Sequence, residues 1–171
     1  MQRRDLLRAF GAATALTFLP HEAFAAWERV AAGHRPAGGL TDAQLGLVGQ
    51  IADQIIPRTD TPGAIDVGVP AFVDVIVTEN DTDAERRAFG DGLDAIAAGG
   101  MSVEALEALT DRGVEPARTY WRLKGLIVHG YFTSEPVMKT VLNVVVMPGK
   151  FDGAAPMPLR HARAGTGAAH A

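Results

Sequence analysis

The chain has no cysteine. That absence removes disulfides, a C-x-x-C-H attachment for covalent haem, a thiolate set for an iron–sulfur cluster and a cysteine nucleophile. Serine is nearly missing too, with only Ser102 and Ser134. The first reads as a helix N-cap and the second lies in a Thr-Ser-Glu-Pro turn, so neither stands in a nucleophile elbow. Basic residues are not in excess: 16 Lys and Arg face 20 Asp and Glu, and they are scattered. Nucleic acid is therefore not an expected partner, because phosphate binding calls for a clustered basic surface. The apolar run Ala9 to Leu19 is interrupted by Gly11, Thr14 and Thr17 and stopped by Pro20. It falls short of the roughly 20 apolar residues that a spanning helix needs.

What is present at the N-terminus is an adjacent arginine pair, Arg3 and Arg4, ahead of that short apolar run, with a small-residue Ala23-Phe24-Ala25 following. A charged start, an apolar stretch of about 7–15 residues and an A-x-A-like site make a secretory signal, and the arginine pair marks its twin-arginine variant. That route carries proteins already folded, often with a cofactor seated. An uncleaved anchor and an ordinary amphipathic helix over residues 5 to 19 fit less well; the first is too short and the second lacks a polar face. The expected organisation is a signal over 1–25, cleaved after Ala25, a linker over 26–40, a helical domain over 41–153 and a flexible tail over 154–171. Removing Arg3, Arg4, Arg8, Asp5 and Glu22 leaves the mature domain with a net charge of minus five.

Residues 26 to 40 are rich in Ala and Gly with no sustained period, and read as an extended lead-in. From Thr41 the pattern becomes helical. Thr41-Asp42-Ala43-Gln44 is a capping box, Leu45, Val48, Ala52 and Ile55 follow at helical spacing, and Pro57 ends the element. The segment 57–64 has the composition of a rigid turn. A second helix starts near Val69 with Pro70 in its first turn, and a third opens at the Thr82-Asp83-Ala84-Glu85 box and stops at Gly99-Gly100. Ser102 caps a short fourth. The fifth, from about Pro116 to Phe132, is apolar on two sides: Tyr120, Leu123, Ile127 and Tyr131 on one, Trp121, Val128 and Phe132 on the other. Such an element belongs in the middle of a bundle. A last helix is expected from Pro136 to about Val144, with a strand as the alternative over Val141 to Val146. The fold class is all-α, a single compact bundle of five to six helices.

No catalytic, cofactor-binding or metal site emerges. Gly90-Asp91-Gly92-Leu93-Asp94-Ala95 is a relaxed G-x-G-x-x-A, but it lies inside a helix rather than after a strand. The histidines are far apart, and His129 is placed with Arg118, Arg122 and Gly125 on the polar face of the fifth helix. Asp60 and Asp66 could in principle do acid/base work, though Asp60 suits a turn better.

The string Gln54-Ile55-Ile56-Pro57-Arg58-Thr59-Asp60-Thr61-Pro62-Gly63-Ala64, with Val67-Gly68-Val69-Pro70-Ala71-Phe72-Val73-Asp74 after it, resembles the signature of the gluconate 2-dehydrogenase subunit 3 family. Gly130-Tyr131-Phe132-Thr133-Ser134-Glu135, and the Pro148-Gly149 turn with Asp152-Gly153, fit the same pattern. The resemblance implies a non-catalytic small subunit of a periplasmic dehydrogenase acting on sugars, sugar acids or alcohols. FAD would sit on a large partner subunit, and c-type haem on a multihaem cytochrome. The complex would associate with the inner membrane through its other subunits. The small subunit would carry the export signal to the twin-arginine translocon and escort its partner. Pro57, Arg58, Thr59, Asp60, Thr61, Pro62, Gly63, Tyr131 and Phe132 are the candidate interface residues. A stand-alone periplasmic enzyme or binding protein using Arg58, Asp60, Asp66 or His129 is the alternative, and it predicts a ligand-sized pocket beside them.

Overall fold

In the computed structural model, residues 20–109 and 111–142 are described. Among them lie seven helices and no strand: α1 Pro20–Ala31, α2 Asp42–Ile55, α3 Val69–Asn80, α4 Asp83–Gly99, α5 Val103–Glu107, α6 Ala117–Thr133 and α7 Glu135–Thr140. The all-α class stands, with one helix more than expected. Arg3 and Arg4, the Pro148-Gly149 turn, Asp152-Gly153 and the tail lie outside the described residues.

The extra element is α1, and it corrects the extended lead-in over residues 26–31, while 32–40 carry no helix or strand. Ala23, Ala26, Trp27 and Val30 recur at i, i+3, i+4 and i+7. Ala23 and Ala26 are fully buried, while Trp27 and Val30 pack against the core. The period is visible only if the reading starts at Pro20, across the expected cleavage point. Glu22 in the first turn and Arg29 in the last complement the helix dipole. The helix stops in a Schellman arrangement: Gly33 takes a φ of 69°, its N–H donates to the Val30 carbonyl at 3.0 Å, and His34 N–H donates to the Arg29 carbonyl at 2.9 Å.

The two capping boxes form as read. Gln44 N–H donates to Thr41 Oγ1 at 3.3 Å while Thr41 N–H donates to Gln44 Oε1 at 3.0 Å, and Thr82 and Glu85 repeat the exchange at the start of α4. Helix α3 is buried almost all round, at Val69 and from Phe72 through Val77, and lies against α1, α2 and α6. Helix α6 packs against every other described helix. Its two apolar sides have different fates. Tyr120, Leu123, Ile127 and Tyr131 are buried, whereas Val128 and Phe132 stay 37% and 47% exposed and Trp121 is half-buried. The expectation that both sides face inward is corrected: Val128 and Phe132 border an open groove, while Trp121 still packs against the core. Helix α7 begins one residue earlier than expected, at Glu135, and closes at Thr140.

Glycines set how closely the helices meet. A Cβ on Gly92 would stand 2.0 Å from Thr119 Oγ1, where α4 crosses α6. The Gly90-x-Gly92 string thus serves a helix crossing, and Gly90 lends its carbonyl to Gln44 Nε2 at 3.3 Å.

Helices α5 and α6 are tied through Glu107, which accepts from Tyr120 Oη at 2.9 Å and from Lys124 Nζ. The lysine and the tyrosine hold the Glu107 carboxyl below its ordinary value of 4.5. Burial, reinforced by Glu107, pushes the Tyr120 phenol up. Glu85 is also held low, by its bonds from Thr82, and Glu135 by Lys139. At Glu115 burial pulls upward but is outweighed by bonds from Thr119 and Arg118. A carboxyl with a depressed folded value binds fewer protons folded than unfolded, so its contribution is complete above 4.5 and is lost as pH falls through the folded values. The melting temperature is therefore expected to fall on acidification from pH 5 to pH 3. Glu107→Gln should make that decline shallower. A decline of unchanged steepness in a calorimetric pH series would refute the assignment to Glu107.

Candidate functional site

The loop between α2 and α3 is rigid because nearly every turn residue is bonded. Thr59 N–H donates to the Thr61 carbonyl at 3.1 Å, Ala64 N–H to the Ile56 carbonyl at 3.0 Å, and Val69 N–H to the Ala64 carbonyl at 3.0 Å. Thr59 Oγ1 donates to Asp60 Oδ1 at 3.0 Å. Asp66 accepts from Gly63 N–H at 2.9 Å and from Arg58 Nη1 at 3.2 Å. Both aspartates that could have formed an acid/base pair are thus engaged in holding the turn. Gly63 is required for close approach, since a Cβ there would lie 2.8 Å from the Arg58 backbone nitrogen.

The loop is anchored from below by α6. Tyr131 Oη donates to the Pro62 carbonyl at 2.8 Å across 69 residues of sequence. One residue earlier, Gly130 meets Phe72 so closely that a Cβ would stand 2.6 Å from the ring. Phe72 in turn stacks on Trp27, with ring centroids 4.9 Å apart, and Trp27 Nε1 donates to Thr133 Oγ1 at 3.1 Å. The two distant motifs, 54–74 and 130–135, are therefore one structural unit.

The candidate interface residues divide by position. Pro57, Arg58, Thr59 and Asp60 form an exposed crest, Thr61 and Pro62 are half-buried, and Gly63 is buried. Tyr131 is only 5% exposed and works as the anchor beneath the loop. Phe132 is exposed, edge-on to Tyr131 with centroids 5.3 Å apart. Ile65, three residues past Pro62, is also 49% exposed.

An open groove of about 510 Å³ lies along the uncovered side of α6, lined by Trp121, Lys124, Val128, His129 and Phe132 among others. The Arg112 guanidinium stands 3.6 Å over the Trp121 ring, a cation–π contact on that wall. His129 does not lie on a polar face as expected. It is half-buried with its ring 6.3 Å from Phe72, and burial pushes its imidazole below 6.5. Arg58, Asp60 and Asp66 do not line this groove. The groove thus holds His129 apart from Arg58 and Asp66, which meet in the loop instead. Among the described residues there is no group of three or more metal-ligating side chains, and no helix is long and apolar enough to cross a membrane.

Fold and loop together define a class, a small all-helical domain whose distinctive residues shape and brace a surface. Residues 42–102 match the model of the gluconate 2-dehydrogenase subunit 3 family, which supports the family that the sequence motifs point to, a family of dehydrogenase-complex subunits. The matched stretch runs from α2 to the N-cap of α5 and includes the whole loop. The Gly130–Glu135 motif lies beyond it but is joined to it through Tyr131 and Gly130. No curated protein and no solved structure matches the chain.

Proposed function

We propose that the chain is the non-catalytic small subunit of a periplasmic FAD-dependent dehydrogenase complex, exported through the twin-arginine route and escorting a folded large subunit. The observation that carries this reading is the family match over residues 42–102, which includes the braced Pro57–Gly63 loop. FAD belongs to the large subunit and c-type haem to a cytochrome that takes the electrons. The large subunit docks on the exposed crest Pro57–Asp60 and on Ile65 and Phe132. A stiff loop loses little conformational freedom on docking, which favours affinity without a large contact area.

The test is localisation. Replacing Arg3 and Arg4 together by lysine keeps the charge but removes the twin-arginine feature, and both this chain and the flavoprotein are then expected to stay in the cytoplasm. Dye-linked dehydrogenase activity in the periplasmic fraction should drop to background. Undiminished periplasmic flavoprotein would refute the escort role.

A further inference from the structure

The small-residue string Ala23-Phe24-Ala25 is inside a packed helix. Ala23 and Ala26 are 0% and 1% exposed, and one turn on, Trp27 stacks on Phe72 and bonds Thr133. Arg29 pairs with Glu79 of α3. Small side chains at 23 and 26 are what lets α1 lie close against α3 and α6, so packing accounts for them without a peptidase. A protease reads the residues around its cut as an extended segment, and such segments are drawn from exposed, weakly held chain. Presenting Ala23-Phe24-Ala25 in that form would mean unwinding α1 and uncovering Phe72. Cleavage after Ala25 would also divide the helix in its middle, leaving Ala23 outside the core it fills.

We infer that Ala23-Phe24-Ala25 is not a processing site, that α1 remains part of the mature domain, and that any cut falls N-terminal to Pro20. The order of events rests on the proposed export of a folded chain, because the site is sealed only once the domain has formed. The intact mass of the chain isolated from the periplasm in its complex should show residues 20–31 present. A mature N-terminus at Ala26 would overturn the inference. Ala25→Gln removes the small residue a signal peptidase needs at the cut while keeping a helix former at a half-buried position. The product mass is expected to change only by that substitution, and accumulation of a longer form would count against the inference. Ala26→Asp in the full chain places a charge in the core and should lower the melting temperature by about 10 °C or more wherever the chain is found. An unchanged melting temperature would show that α1 is dispensable. A chain confined to the cytoplasm, yet destabilised by Ala26→Asp, would refute the export reading and leave α1 in the domain.

Discussion

Gly130→Val is expected to lower the melting temperature by about 4–8 °C and to loosen the Pro57–Gly63 loop. Even the first side-chain carbon would lie 2.6 Å from Phe72 Cδ1 and 3.0 Å from Cε1, well inside contact distance. Phe72 is fully buried and has little space to retreat, because Trp27 stacks on its ring and is itself bonded to Thr133. Overpacking of this kind costs about 1–3 kcal/mol or more, and each kcal/mol moves the melting temperature of a chain this size by about 2–4 °C. Against it stands the gain of up to about 1 kcal/mol from removing a helical glycine, and a β-branched valine recovers only part of that. The clash therefore wins. The neighbour Tyr131 would shift with the helix, breaking its bond to the Pro62 carbonyl, so proteolysis within the crest should accelerate. Phe72→Leu in the same chain should restore part of the stability, since the ring edge is what the valine meets. Independent, additive effects of the two substitutions would show that Gly130 and Phe72 are not coupled.

What could be read from the sequence follows the range of the interactions involved. The starts of α2, α4 and α5 were legible because Thr41, Thr82 and Ser102 act within three residues of themselves, and Pro57 and Gly100 end helices just as locally. The rigidity of the loop was legible from its prolines and threonines. Its anchor was not, because Tyr131 reaches Pro62 across 69 positions and its apolar ring looks like any other core residue. Helix α1 was hidden because a cleavage boundary drawn at Ala25 cut its period in two. Helix α6 misled in a different way: apolar residues on two sides show how much surface could be buried, not whether a neighbour is there to bury it. Asp74 did carry a signal, a lone carboxylate within Val73-Asp74-Val75-Ile76-Val77, where an otherwise apolar helix needs a reason to hold a charge.

That reason yields the second large effect. Asp74 is 2% exposed; its Oδ1 accepts from Leu40 N–H at 2.7 Å and from Thr78 Oγ1 at 3.4 Å. Leu40 is itself buried, so its N–H has lost water and depends on that oxygen. The carboxylate thereby clamps the end of the α1–α2 connection onto α3, and Gly39 lies so close that a Cβ would stand 2.5 Å from Oδ1. Asp74→Ala leaves a buried donor unpaired, at about 1–3 kcal/mol, although removing a desolvated charge gives some of this back. The expected order of stability is wild type, then Asp74→Asn, which keeps an acceptor, then Asp74→Ala, with hydrogen exchange at the Leu40 amide accelerating along the series. Gly39→Ala should destabilise the wild-type chain through its clash with Oδ1 but cost little in the Asp74→Ala background, where that oxygen is gone. Equal costs of Gly39→Ala in both backgrounds would mean that the loop is not held by the carboxylate, and the close approach of Gly39 would then need another cause.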